Sequence, residues 1–313
     1  MKQVLVTGGG GFIGSNLALE IQSRFPEAQV TIIDDFRSGS FKNLVGFKGD
    51  LVAFDVAQKE WLEIFKNRAL DTVFHLASIT DTTVSDERKM IFDNVEGFRN
   101  VLELAGQKKA DVVYASSAAV YGSQDASMKE EDAARPNNIY GFSKWVMDQL
   151  AHSYEGKLKV VGLRYFNVFG PGEYHKGPAA SMIYQLAKQM MAGKRPRIFK
   201  WGEQKRDFIY VKDVVAATLR ACEAKRNTVL NVGTGQATSF NEVIDALNEA
   251  LGTRYEPDYF DNPYDFYQNF TQADISNTKR EMGFEPQYST REGIFHYVRN
   301  FLLPSQQAQI SPA

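Results

Sequence analysis

Short apolar runs separated by amphipathic stretches fill the first half of the chain. The runs lie at residues 4–6, 30–34, 71–76, 111–115 and 159–163. Helical patterns follow the first and third runs, at residues 14–25 and 94–107. Buried strands that alternate with helices indicate βαβ units. We therefore predict a doubly wound parallel α/β sheet with helices on both faces.

The pattern becomes less regular after residue 170. Helical periodicity predicts helices at residues 179–192 and 240–251, the second of them capped by Ser239. A strand is predicted at residues 206–210, while residues 255–272 are rich in aromatic side chains and irregular.

Three glycines follow the first predicted strand and open the first predicted helix. Gly8 allows a tight turn, Gly11 lets a pyrophosphate approach the backbone, and Gly14 lets the helix pack against the sheet. The free N–H groups at the start of such a helix bind anions. This segment, with Phe12 and Ile13, predicts a dinucleotide site in a Rossmann-type sheet.

The end of the second predicted strand bears on the choice of dinucleotide. Asp34 would accept hydrogen bonds from the adenosine ribose, which favours NAD, whereas Arg37 would hold a 2′-phosphate, which favours NADP. These two residues leave the choice open. Further cofactor-binding candidates are Asp35, Leu76, Ala77, Ser78 and Asn94.

These patterns predict two lobes and a tail. Residues 1–170 and 201–236 would form the dinucleotide-binding domain. Residues 171–200 and 237–303 would form a smaller, discontinuous α/β substrate domain. Residues 304–313, rich in Gln, Ser and Pro, would form a disordered tail.

A serine, a tyrosine and a lysine form the candidate catalytic group. Tyr140 and Lys144 are four residues apart and therefore lie on one helical face. A phenol has an ordinary pKa near ~10. A neighbouring ammonium and a positive nicotinamide favour the phenolate, which would make Tyr140 a general base. Ser117 would hydrogen-bond the reacting oxygen, and Lys144 would also orient the nicotinamide ribose.

Composition and charge exclude several kinds of partner. The 313-residue chain has a net charge of −2, so it lacks the basic surplus that nucleic acid requires. The single cysteine, Cys222, excludes an internal disulfide, and the histidines have no acidic clusters, so no metal is expected. No apolar run nears the ~20 residues that span a bilayer. Without a signal-peptide pattern, we expect a cytoplasmic protein with no membrane partner.

Seven stretches resemble the extended short-chain dehydrogenase/reductase superfamily. They are TGGGGFIG, FHLAS, YASSAAVYG, YGFSK, LRYFNVFGP, RDFIYVKDV and NVGTG, in the superfamily's order. This resemblance implies an enzyme that acts on nucleotide-activated sugars, as an epimerase, dehydratase, decarboxylase or reductase. Ala118 and Ala119 follow Ser117 where 4,6-dehydratases carry an Asp-Glu pair, which argues against dehydration.

Within that superfamily, the stretches RYFNVFGPGEYHKGPAAS, GEQKRDFIYVKDV and FYQNFTQADI resemble the ADP-glycero-manno-heptose 6-epimerases of lipopolysaccharide precursor synthesis. The resemblance implies a homo-oligomer in which NADP oxidises position 6 of the heptose and then reduces the ketone on its other face. A UDP-hexose 4-epimerase or reductase is the alternative. A regulatory protein that lost catalysis is a third reading, which the intact Ser117, Tyr140 and Lys144 oppose.

The same resemblance implies further residue roles. Lys176 matches the second catalytic base and a cofactor contact. Lys59 and Val168 match cofactor-binding positions. The substrate-binding matches are Asn167, Pro178, Gln185, Phe199, Lys200, Trp201, Gly202, Arg206 and Tyr267. Pro178 and Gln185 replace a serine and a histidine of the family's pocket. The family's lysine for the 2′-phosphate falls in a gap, which leaves Arg37 or Lys42.

Overall fold

The structure is a computed structural model that describes residues 1–80, 86–263 and 268–304. Its strands are β1 (Gln3–Thr7), β2 (Gln29–Asp34), β3 (Asp50–Ala53), β4 (Thr72–His75), β5 (Asp111–Ser117), β6 (Val160–Tyr165), β7 (Asn167–Phe169), β8 (Arg197–Phe199), β9 (Lys205–Arg206), β10 (Phe208–Tyr210), β11 (Thr228–Val232), β12 (Thr238–Ser239) and β13 (Asp258–Phe260). Its α-helices are α1 (Phe12–Arg24), α2 (Glu87–Lys108), α3 (Ile139–His152), α4 (Met182–Met191), α5 (Val211–Arg220), α6 (Phe240–Leu251), α7 (Ser276–Met282) and α8 (Thr290–Tyr297).

Seven parallel strands form the central sheet, in the order β3-β2-β1-β4-β5-β6-β11. The chain runs outward from β1 to β3 and then returns across the sheet to β4. The strand order therefore reverses between β1 and β4, and ligands of such sheets bind in the crevice outside the carboxyl ends at this point. This topology confirms the predicted doubly wound α/β fold.

The sheet is buried on both faces, which explains its continuous apolar runs. Successive residues of a strand point to opposite faces. Val6 belongs to a core that includes Leu17 of α1, whereas Leu5 belongs to a core that includes Phe98 of α2. Helices α1 and α5 cover one face, and α2 and α3 cover the other.

A further apolar core joins α4, α6 and α8, with Ile183, Leu247 and Ile294 fully buried in it. The segment between these parts returns to the sheet region, where β10 pairs with β7 and β11 pairs with β6. The division into two domains stays a prediction. Residues 305–313 of the predicted tail lie outside the described residues.

The local predictions for the second half are only partly confirmed. Helix α6 spans the predicted residues, with Ser239 and Glu242 forming a capping box. Helix α4 begins at Met182 rather than at residue 179, because Ser181 caps its first turn and Pro178 precedes it in a 3-10 turn. In the described ranges, no helix is long and apolar enough to cross a membrane.

The predicted strand at 206–210 is two strands with different partners. Arg206 of β9 pairs antiparallel with β12, while Phe208 of β10 pairs parallel with β7. Between them, the buried carboxylate of Asp207 accepts hydrogen bonds from the backbone N–H groups of Thr234, Gly235 and Ala273. The Asp207 carboxylate thus connects two segments, residues 234–235 and residue 273, at the point where the strand changes partners.

Candidate active site

The glycine turn after β1 is shaped by close backbone contacts. Gly8 has a φ of 71°, and a Cβ on it would lie 2.5 Å from the backbone nitrogen of Ala77. A Cβ on Gly14 would overlap the carbonyl oxygen of Gly8, so α1 packs on the turn only because Gly14 lacks a side chain. A Cβ on Gly11 would meet nothing closer than the Gly8 carbonyl oxygen, at 3.2 Å. The face of the turn at Gly11 is therefore open to a ligand.

The first turn of α1 offers unpaired backbone donors at this opening. Helix α1 has no side-chain cap, unlike α2, α3, α4, α6 and α8. The N–H groups of Phe12, Ile13 and Gly14 therefore have no intrahelical partner. Such donors bind a pyrophosphate. Together with the open face at Gly11, they fit a dinucleotide.

Asp34 at the end of β2 connects that strand to the glycine turn. Its Oδ2 accepts from the N–H of Gly10 and its Oδ1 from the N–H of Phe36, both at 2.8 Å. Burial raises the pKa of this carboxyl. Each oxygen keeps a free lone pair for a ribose hydroxyl.

Arg37 follows at the same edge of the sheet, enclosed by acidic side chains. Its guanidinium contacts the carboxylates of Asp35, Asp55 and Asp93, each at 2.5 Å. This arrangement differs from the predicted 2′-phosphate site, because every guanidinium nitrogen already has a carboxylate partner.

Two further lysines were predicted near the cofactor: Lys42 as the alternative to Arg37 for the 2′-phosphate, and Lys59 as a cofactor-binding position. Lys42 is exposed, and Lys59 pairs with Glu103 of α2 at 3.0 Å. Glu103 is ten residues after Asp93 on this helix, which corresponds to about 15 Å. The structure therefore does not bring Lys59 into the group around Arg37.

Asn94 supports the loop after β4. Its Oδ1 accepts from the N–H of Ile79, and its Nδ2 donates to the Ile79 carbonyl and to Ser143 Oγ. Both amide donors are thus used inside the protein. Asn94 holds in place the loop that contains Leu76, Ala77 and Ser78, beside the glycine turn.

The three candidate catalytic residues come together where β5 ends and α3 begins. Ser117 is the last residue of β5, and its side chain hydrogen-bonds to Tyr140. The Lys144 Nζ lies 5.8 Å from the Tyr140 ring centroid and donates to the Ala115 carbonyl at 2.8 Å. Asn138 caps α3 directly before Tyr140. The predicted Ser-Tyr-Lys group is therefore assembled in one place.

Burial has opposite effects on the two titrating groups. It lowers the pKa of Lys144 to about 7, and it raises the pKa of Tyr140, with the Ser117 hydrogen bond as the opposing contribution. The expected lowering of the Tyr140 pKa is therefore not produced by the protein's own groups. A bound positive nicotinamide would have to provide it.

Lys176, the predicted second base, lies in a 3-10 turn at Tyr174–Ala179. Its Nζ is 5.8 Å from the ring centroid of Phe12, the first residue of α1. Burial lowers the pKa of Lys176, and the charge of Glu173 opposes this shift. Lys176 therefore lies beside the first residue of α1, and burial favours its neutral form.

Hydrogen bonds made by Glu173 and Asn43 fix the loop that contains Lys176. The fully buried carboxylate of Glu173 accepts from the N–H of Gly170 and from the N–H and hydroxyl of Ser181. Asn43 donates to the Gly172 carbonyl at 3.1 Å and contacts His175 Nδ1 at 3.1 Å. The loop is thus tied to the segment that follows β2.

Residues 4–233 match the NAD dependent epimerase/dehydratase family. The chain belongs to this family. A solved structure of ADP-L-glycero-D-manno-heptose-6-epimerase from Helicobacter pylori is 41% identical, with 98% of this chain and 96% of that chain covered and a TM-score of 0.91. UDP-glucose 4-epimerase from Thermotoga maritima, solved with UDP-glucose, is 29% identical, with 97% and 99% covered and a TM-score of 0.89. UDP-glucuronic acid 4-epimerase from Bacillus cereus, solved with UDP-glucuronic acid and NAD, is 25% identical, with 95% and 99% covered and a TM-score of 0.83.

Membership of the NAD-dependent epimerase/dehydratase family confirms the predicted superfamily. The likeness to the Helicobacter pylori protein confirms the resemblance to the heptose 6-epimerases. The nicotinamide dinucleotide that the family name implies fits the open glycine turn and the uncapped α1 described above.

The predicted substrate-binding residues within the described ranges lie in three groups. Asn167 in β7 donates to the Asp207 carbonyl and to Thr271, and Arg206 is buried in β9. Phe199 ends β8 and residues 200–202 follow it, where Trp201 is 62% exposed. Gln185 donates to the Pro178 carbonyl at 2.8 Å, so these two residues contact each other. Tyr267 lies outside the described residues.

The sequence did not predict a buried ion pair that lies close to Lys144, between Asp148 and Arg164. Asp148, one helical turn after Lys144, accepts from Arg164 at 3.0 and 3.1 Å and from the Tyr114 hydroxyl at 2.9 Å. Its charge opposes the burial effect on the pKa of Lys144. The i, i+4 spacing from Lys144 to Asp148 was a visible signal. Nothing in the sequence pointed to Arg164 on a separate strand.

We expect Asp148→Ala to lower the free energy of unfolding by about 3–5 kcal/mol, because it leaves a buried guanidinium without its counter-charge. The measurement is urea unfolding of the purified protein. Asp50, which pairs with Arg68 at the surface, provides the matched control. Asp50→Ala should cost less than about 1 kcal/mol. Equal losses in the two variants would contradict the importance of the buried pair.

Within the described ranges, no group of three or more His, Cys, Asp or Glu side chains is arranged to hold a metal ion.

Proposed function

We propose that this protein inverts the configuration at position 6 of the heptose in ADP-glycero-manno-heptose, a step in lipopolysaccharide precursor synthesis. As a family member with epimerases as neighbours, the protein is a nicotinamide-dependent sugar-nucleotide epimerase. The observation that supports the heptose substrate is the 41% identity to the Helicobacter pylori enzyme over 98% of this chain.

The assembled side chains support a mechanism with two bases. Tyr140 would remove the proton from the substrate hydroxyl on one face of the reacting carbon, while Ser117 hydrogen-bonds the oxygen. Lys176 would exchange a proton on the other face. Lys144 would hold the dinucleotide ribose and balance the charge on Tyr140. A bound dinucleotide would supply the hydride acceptor for the first step, and the hydride donor once the ketone has rotated to present its other face.

The reaction involves no net oxidation, so one dinucleotide serves successive turnovers and is expected to stay bound. The glycine turn, residues 76–78 and Lys144 would hold it. The resemblance implies NADP, whereas Asp34 at the end of β2 suits the free ribose of NAD. The proposed reaction requires only a nicotinamide dinucleotide.

We expect the purified enzyme to interconvert the two position-6 epimers of ADP-glycero-manno-heptose. The measurement is NMR of the heptose side chain after incubation with either epimer. The proposal is supported if both starting epimers give the same final mixture, because an epimerase catalyses both directions. UDP-galactose serves as the competing substrate in a parallel reaction.

Two other outcomes would contradict the heptose proposal. Turnover of UDP-galactose but not of the heptose would make the protein a UDP-hexose 4-epimerase, like the Thermotoga maritima neighbour. Dinucleotide binding without turnover of any sugar nucleotide would favour a regulatory protein.

We also propose that the protein forms a homo-oligomer through α2 and α3. These helices pack against each other and leave two large apolar side chains at the surface, Phe92 with 52% and Phe142 with 38% of their area exposed. The two-domain division and the cytoplasmic location stay predictions.

A further inference from the structure

The strongest unexplained feature is the acidic enclosure of Arg37 beside the proposed cofactor site. Three segments contribute to it: Asp35 from the end of β2, Asp55 from the turn after β3, and Asp93 from α2. Their carboxylates contact Nε, Nη2 and Nη1 of Arg37 respectively, each at 2.5 Å. The enclosure therefore engages all three guanidinium nitrogens.

This enclosure leaves Arg37 poorly prepared to bind an additional anion. Arginine recognises phosphate by presenting a pair of parallel N–H groups. Three of the five N–H groups of Arg37, one on each nitrogen, already donate to carboxylates, and the Asp93 side chain is only 10% exposed. One N–H on each of Nη1 and Nη2 remains, and a phosphate oxygen that accepts from either would lie close to the carboxylate already bound to that nitrogen.

The local charge also opposes a second phosphate. Arg37 and Lys89, which contacts Asp93 at 2.8 Å, are the two cations in this group. Asp34, Asp35, Asp55 and Asp93 carry four carboxylates, and Asp35 already interacts with Asp34 electrostatically. Two negative charges therefore remain unbalanced in this group, and a 2′-phosphate adds nearly two more.

The group around Arg37 lies where sheets of this kind bind the adenosine ribose of a dinucleotide. In dinucleotide-binding sheets, the acidic residue that ends the second strand bonds the ribose 2′-hydroxyl, and a nearby arginine takes the 2′-phosphate of NADP. Asp34 ends β2, and its carboxylate is linked to the glycine turn at Gly10. Arg37 is the arginine in that place.

We propose that Asp35, Asp55 and Asp93 make this protein selective for NAD over NADP. They engage three of the five N–H donors of Arg37 and add negative charge where that phosphate would lie. This inference rests on the proposed dinucleotide site, and it reverses the NADP expectation that the family resemblance implies. Lys59, a predicted cofactor-binding lysine, pairs with Glu103 and lies outside the group around Arg37.

Any dinucleotide that co-purifies with the full-length protein is first removed and identified. Binding of NAD+ and of NADP+ to the stripped protein is then measured by calorimetry. We expect NAD+ to bind at least about tenfold more tightly than NADP+, because juxtaposed like charges are strongly unfavourable. Equal binding, tighter binding of NADP+ or co-purified NADP would overturn the inference. Failure of both dinucleotides to bind would instead contradict the proposed function.

Two variants test whether the carboxylates cause the preference. Asp35→Asn and Asp93→Asn should each tighten NADP+ binding by about threefold or more and change NAD+ binding less, as expected for partly exposed ion pairs. Asp50→Asn, which removes a carboxylate paired with Arg68 instead of Arg37, is the matched control and should leave the ratio unchanged. An unchanged ratio in both enclosure variants, with folding intact by thermal unfolding, would exclude these carboxylates as its cause.

Discussion

Replacing Tyr140 with phenylalanine should lower the epimerisation rate by at least about a hundredfold, the lower limit for a positioned acid–base group. Phenylalanine keeps the ring beside Lys144 and removes only the hydroxyl that contacts Ser117. The packing and the glycine turn are unaffected by this change. We therefore expect the dissociation constant of the dinucleotide to stay within about threefold of the wild-type value, which calorimetry can measure.

Tyr154 provides a matched control for this substitution. It lies just beyond the end of α3, partly buried against the α2–α3 core and outside the catalytic group. Tyr154→Phe should retain full turnover. If Tyr140→Phe turned over at the wild-type rate, Tyr140 could not be the base. If it lost dinucleotide binding in parallel with turnover, the hydroxyl would have a binding role instead.

Replacing Lys176 with methionine should also lower the epimerisation rate by at least about a hundredfold if Lys176 is the second base. Methionine preserves much of the apolar stem over Phe12 but cannot accept or donate a proton. Burial lowers the pKa of Lys176, which increases the fraction of neutral amine available at neutral pH. A base of this kind affects kcat, while dinucleotide binding changes little.

The position of Lys176 also suggests a competing role that the same variant can exclude. Phe12 begins α1, where a pyrophosphate would bind, so the ammonium could act only as a cation for the dinucleotide. In that case Lys176→Met would weaken dinucleotide binding, and saturating cofactor would restore turnover. Lys188, exposed near the end of α4, is the control, and Lys188→Met should change neither quantity.

The two proposed bases are connected to the cofactor site by different means. Tyr140 depends on α3, which Asn138 caps and which Asp148 links to Arg164 of β6. Lys176 depends on a loop that Asn43 ties to the segment after β2. Changes near the adenosine end of the site are therefore expected to affect Lys176 more than Tyr140.

Local features of this protein follow from the sequence because they depend on neighbouring residues. The need for glycine at position 14 arises locally, because a Cβ there would overlap the Gly8 carbonyl oxygen. The Tyr140–Lys144 pairing follows from helical periodicity, and the helix at 240–251 from its apolar period and its Ser239 cap. The parallel sheet follows from buried runs that alternate with helices.

Other features depend on contacts between distant segments, and only the tertiary structure decided them. The sequence offered Arg37 as a phosphate ligand, yet carboxylates 18 and 56 residues away enclose it. The sequence predicted a lowered pKa for Tyr140 from its lysine neighbour, yet burial raises it. Lys176 was assigned by resemblance alone until the fold placed it over Phe12. Burial and charge depend on which segments the fold brings together, and sequence spacing does not contain that information.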